Sequence, residues 1–188
     1  MLFILNLLFV VALAGGTVLI FIPQSLADID RTSEGETVTG GLLAEVNRAI
    51  LSGSSFKCSE KELNDHLRLV INARETEGFE IFSEFKGILV QLNEDGIEII
   101  FERNVLGFTS TVSAQLTIQI FIEGSVRMTE VKVIGGKFGS LPVTRSLVGL
   151  IRKALVNVGN VLAPEKEMLS CLGGITVKDG WLILQPQD

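Results

Sequence analysis

From residue 2 to residue 22 the chain is almost unbroken apolar (LFILNLLFVVALAGGTVLIFI), after which it turns polar. From residue 41 onwards apolar positions recur with the periods of helices and strands. At about 1.5 Å per residue the first stretch would reach roughly 30 Å as a helix, the thickness of a bilayer core. It is therefore expected to be a transmembrane anchor, followed by Pro23. Ser25, Leu26 and Ala27 form a small-x-small sequence that a signal peptidase could cut before Asp28, so a cleaved signal is the alternative. The apolar run is longer than an ordinary signal core and no Lys or Arg precedes it, which favours an uncleaved anchor. The expected organisation is an anchor or signal segment over residues 1–27, a polar tether over 28–40, and an extracytoplasmic domain over 41–188.

Within that domain Leu42, Leu43, Val46, Ala49 and Ile50 have helical spacing, and Ser52, Gly53, Ser54 and Ser55 stop the helix. Ser59 with Glu62 is a capping box, and Leu63, Leu67, Val70 and Ile71 are the apolar stripe of a second helix to about Arg74. Glu60, Glu62 and Asp65 sit where carboxylates favour a helix start, and His66 reads as solvated or locally hydrogen-bonded.

From Phe79 the period falls to two, and Gly87 marks a change of face that predicts a bulge. Asn93, Glu94, Asp95 and Gly96 form a turn into Ile97, Ile99 and Phe101, and a long alternating strand covers 112–122. A fourth strand is expected to end at Gly135 and Gly136. Pro142 is expected to open a long helix over 142–162, with Leu147, Leu150, Ile151, Ala154, Leu155, Val158 and Leu162 on one face. A short helix from Pro164 and a hairpin turning at Asp179 and Gly180 close the chain. The predicted class is α+β: an N-terminal transmembrane helix, then a long twisted antiparallel sheet packed on a long helix in the C-terminal half.

All 16 Lys and Arg and all 22 Asp and Glu follow residue 27, so the net charge of −6 belongs to the domain. No basic stripe is visible, which argues against a nucleic-acid partner. With a single His and no GxSxG, HExxH or phosphate-binding glycine loop, neither catalysis nor a bound metal or cofactor is expected. Cys58 and Cys171 are too far apart for a CxxC motif; in an oxidising compartment they can form a disulfide, the alternative being two separate buried thiols.

SEKELNDHL at positions 59–67, the strand meander, FGSLPVTRSLVGLI at 138–151 and the closing GGITVKDGWLIL together resemble the YpmS-like exported proteins. These are single-anchor bacterial envelope proteins, and the resemblance, spread over most of residues 55–184, implies an envelope location and names no active site. The arrangement of long strands against a long helix is also similar, at a greater distance, to tubular lipid-binding domains, an analogy of fold that leaves function to be argued from the site.

Apolar residues on both faces of several strands, such as Ile100 and Phe121, motivate the functional expectation: a non-catalytic domain holding a lipid or other apolar ligand between sheet and helix. Phe82, Phe85, Ile118, Ile120, Leu150, Ile151 and Leu155 are the candidate groove, and Arg145, Arg152 and Lys153 the candidates for a headgroup phosphate. The competing explanation for the doubly apolar strands is plain coverage by the N-terminal helices. The alternative function is an accessory subunit of a larger membrane or envelope complex.

Overall fold

The computed structural model describes residues 18–30, 41–73, 84–123, 126–143, 149 and 162–187. Residues 18–21 form a turn of helix, and the chain then passes through the irregular stretch 23–26 and a turn to Asp30. The elements that follow are α1 (Leu42–Leu51), β1 (Phe56–Ser59), α2 (Glu60–Ala73), β2 (Glu84–Asn93), β3 (Gly96–Val105), β4 (Phe108–Glu123), β5 (Val126–Phe138), β6 (Leu141–Pro142), α3 (Ala163–Ser170), β7 (Leu172–Lys178) and β8 (Trp181–Pro186). The class is α+β. Strands β2 to β6 make a five-stranded sheet in chain order, and β1, β8 and β7 make a three-stranded one, with every pairing antiparallel.

Local chemistry accounts for most of these boundaries. Ser59 and Glu62 close the capping box at the start of α2: the Glu62 carboxylate accepts the Ser59 N–H at 2.8 Å, and the Glu62 N–H reaches Ser59 Oγ at 3.2 Å. Gly87 is the site of a register shift in the β2–β3 ladder, where the alternation changes face. Gly96 has φ 139, and a Cβ there would meet the Leu116 carbonyl oxygen, so the β2–β3 turn requires a glycine.

Two expectations need correction. Gly135 and Gly136 do not end β5: Gln115 pairs with Gly135 and Leu116 with Val133, leaving Ile134 as the extra residue of a bulge, and the strand continues to Phe138. A glycine inside a strand can mark such a bulge as readily as a stop. Pro142 does not open a helix but sits in β6, opposite Lys137 at the rim of the sheet, where a residue without an N–H is tolerated. Apart from Gly149, which is helical, and Leu162, in a turn, the remainder of the helix expected over 142–162 lies outside the described residues. So do residues 1–17 of the expected anchor; among the described residues no helix is long and apolar enough to cross a membrane.

The main core lies on one face of the five-stranded sheet, formed by Ile88, Val90 and Leu92 of β2, Ile97 and Phe101 of β3, and Ala114 and Leu116 of β4. Val46 of α1, Leu67 of α2 and Leu172, Leu182 and Leu184 of the smaller sheet close over it. The opposite face has its own small apolar cluster, in which Leu89 and Ile100 are covered by Leu26 and Ile29. Ile100 is 0% exposed, so its apolar character on the outer face is explained by the segment that precedes the domain. Ile29 thus belongs to the packed structure although it falls within the stretch read as a tether.

The two sheets are joined by side chains on α2. Glu60 and Asn64 are one helical turn apart, on one face, and are only 5% and 2% exposed. Asn64 accepts the Val90 N–H at 2.6 Å and donates to the Val90 carbonyl at 2.9 Å, as a neighbouring strand would. Glu60 accepts the Leu92 N–H at 2.7 Å through one oxygen and the Asp30 N–H at 2.8 Å through the other. The backbone of the β7–β8 turn completes the joint, with the Gly180 N–H bonded to the Leu92 carbonyl and the Glu60 N–H to the Gly180 carbonyl.

Removing the amide of Asn64 leaves both polar groups of Val90 buried without partners, each costing about 1–3 kcal/mol. Asn64→Ala is therefore expected to lower stability in urea by about 2–5 kcal/mol, whereas Lys61→Ala, at an exposed position of the same helix, should stay within about 0.5 kcal/mol of wild type.

Candidate functional site

A cavity of about 200 Å3 opens between the inner face of the five-stranded sheet, the two N-terminal helices, α3 and the smaller sheet. The large sheet contributes Ile88, Val90, Ile97, Ile99 and Ile118. Leu42, Leu43 and Val46 of α1 and Leu63 and Leu67 of α2 supply a second wall, and Met168 and Leu169 of α3 with Ile175, Leu182 and Leu184 supply a third. Period-two residues on strands and period-3.6 residues on helices therefore converge on one space.

Besides the Cys58 thiol, the hydrogen-bonding side chains in the wall are His66 and Glu165, paired at 3.3 Å between Nε2 and Oε1. Both are largely buried, so α2 and α3 are linked beside the apolar surface by a polar contact between residues far apart in sequence. Such a pair can orient a polar end of a ligand; the rest of the wall among the described residues offers contact area and no directional partner.

The positions expected from sequence are placed as follows. Ile118 lines the cavity. Phe85 packs against the same core from β2, outside the cavity lining. Ile120 lies on β4 opposite Thr129, although its side chain is not among those described. Phe82, Leu150, Ile151 and Leu155, together with Arg145, Arg152 and Lys153, lie outside the described residues.

The walls from α1, α2 and α3 were not anticipated as part of a site. Their apolar stripes signalled burial, but a stripe does not say what it faces. The His66–Glu165 contact likewise left no signal, because the two residues belong to helices at opposite ends of the domain.

Cys58 and Cys171 are separate free thiols, the first buried on β1 and the second exposed at the C-terminal cap of α3. Burial, reinforced by the negative charges of Glu62 and Glu45, pushes the Cys58 thiol up to about 12. At neutral pH it is protonated, the opposite of what nucleophilic chemistry requires. Among the described residues no group of three or more His, Cys, Asp or Glu side chains is arranged to hold a metal.

In the native protein Cys171 should react readily with a maleimide, while Cys58 should react only after unfolding; equal rates at the two thiols would contradict the burial described. Because the unfolded thiol loses its proton near 9 and the folded one near 12, the unfolded state gains thiolate first as pH rises. Wild type should therefore lose stability relative to Cys58→Ala as pH is raised through that interval, as measured by urea titration at successive pH values. Scans of protein-family models and of curated protein sequences find no match to this chain.

Proposed function

We propose that the chain is a membrane-anchored, extracytoplasmic binding domain without catalytic activity, which holds a slender apolar ligand in the cavity beside Ile118. The observation that carries this reading is the wall itself: an apolar surface drawn from both sheets and three helices around about 200 Å3. That exceeds the ~150 Å3 of an apolar cavity able to take benzene, and falls below the ~300–1,000 Å3 of sites for drug-sized ligands. A single hydrocarbon chain, or part of one, matches this size better than an entire two-chain lipid. The protonated Cys58 thiol is not a candidate nucleophile beside this cavity.

The membrane part rests on residues 2–22, whose composition suits a bilayer span, and the envelope location is the one implied by the resemblance to the YpmS-like proteins. In this reading Leu150, Ile151 and Leu155 are further apolar contacts for the ligand, and Arg145, Arg152 and Lys153 the contacts for a headgroup.

Native mass spectrometry of the full chain released from detergent tests the proposal. The expected result is a retained mass in the range of single-chain lipids, reduced about tenfold or more in Ile118→Trp, which fills the cavity while leaving the melting temperature unchanged or raised. Undiminished retention by that variant would place the ligand elsewhere. An empty wild-type chain would turn the reading toward an accessory subunit, to be pursued by crosslinking in the membrane.

A further inference from the structure

The segment ahead of the domain crosses the outer face of the five-stranded sheet in a definite direction. Asp30 is bonded to Glu60 beside Leu92, which shares a row of the sheet with Ile97 and Leu116. Ile29 and Leu26 pack on Ile100, whose partner is Ser113. The Gln24 N–H then reaches Thr111 Oγ1 at 3.0 Å. Ser140, which follows the glycine bonded to the Thr111 carbonyl, binds the Leu19 carbonyl through its N–H and the Ile22 carbonyl through its hydroxyl. Read toward the N-terminus, the chain thus passes the rows of Leu116, Ser113 and Thr111 in turn, heading for the end of the sheet where β3 turns into β4.

That turn consists of Leu106 and Gly107 between the paired residues Val105 and Phe108. Leu106 has φ 53 and Gly107 φ 85, so both central residues occupy the left-handed region, where Asn-Gly is the favoured pair. A leucine is strained in this conformation, and here it is 90% exposed, next to Phe108 at 69%. Among the described residues neither side chain belongs to an apolar cluster of the fold. The tip lies roughly 10 Å, three residues of strand, beyond Thr111. At this same end the chain leaves the described structure with Val18, Leu19, Ile20, Phe21 and Ile22 exposed, and the residues before them in sequence continue apolar.

We infer that the β3–β4 hairpin tip, Leu106 to Phe108, is a second membrane contact, seated in the interfacial region of the bilayer beside the anchor. The inference rests on the proposed bilayer span of residues 2–22. Given that span, the sheet stands with its hairpin end against the lipid, and the strained leucine gains in the membrane the contact it lacks in water. Among the described residues nothing packs Leu106 into the core in return for its left-handed conformation, a pattern expected at a functional position.

Full-length protein reconstituted into phosphatidylcholine vesicles, some containing lipids brominated near the headgroup end of the acyl chain, tests the contact. Trp181 is the sole tryptophan and adjoins Gly180 at the opposite end of the sheet, so its emission in wild type should be insensitive to bromine. In Phe108→Trp made together with Trp181→Phe, the tip tryptophan should be blue-shifted and lose roughly half its emission, as expected for a side chain buried at the interface. Leu106→Asn added to that pair suits the turn better, so it should keep the melting temperature while weakening the quenching. Protein that floats with the vesicles but shows no quenching at position 108 would overturn the tip contact and leave the anchor standing. Protein that fails to float would overturn the anchor and the tip contact together.

Discussion

Strand β2 is the edge at which the two sheets would otherwise part, and its outward-facing backbone groups are met by two side chains one helical turn apart, Glu60 and Asn64. An open edge exposes a row of donors and acceptors that invites pairing with another chain. Here a helix supplies those partners, and because its carboxylate and amide are buried, their bonds cannot be exchanged for water without opening the core. The same two side chains also hold Asp30, through the Glu60 carboxylate and the Asn64 amide donor, and the backbone of Glu60 holds the β7–β8 turn. Four distant stretches of chain therefore depend on one turn of α2: the lead-in segment, the helix itself, the edge strand and the terminal hairpin.

The meander was legible because its signals are local. Alternation names the inner face of each strand, Gly87 marks a change of phase, and Asn93 to Gly96 joins two apolar runs by a short polar turn. The capping box of Ser59 and Glu62 fixed the start of α2 for the same reason. What the sequence could not disclose is pairing at long range. Phe56–Ser59 is too short to register as a strand until β8 lies beside it, and Glu60 resembles any helix-start carboxylate until β2 approaches. The cavity was legible only from its sheet side, through Ile118. Its helical walls were visible as apolar stripes whose destination no local pattern encodes.

The doubly apolar strands had two competing explanations, and they divide between the faces of the sheet. On the outer face Ile100 and Leu89 are covered by Leu26 and Ile29, which is simple packing, but by the lead-in segment and not by the N-terminal helices that the plainer explanation named; those helices close over the inner face. The inner face is where space remains. Coverage of the outer face also requires a close approach at the rim: Gly139, at φ 55, has the carbonyl oxygens of Leu19, Ile20 and Ile22 where a Cβ would stand. A side chain at that position would force the lead-in segment away from the sheet.

The pairing of β1 with β8 joins the start of the domain to its last strand, with Phe56 opposite Leu184 and Ser59 opposite Trp181. During synthesis the meander can form as soon as its hairpins emerge, since each strand meets the next in order. The smaller sheet must wait for the final strand, and until then β1 has an empty neighbour while the joint at Glu60 lacks Gly180. The domain is thus completed by an event of high contact order, and the chain passes through an interval in which the apolar inner face lacks one of its covers.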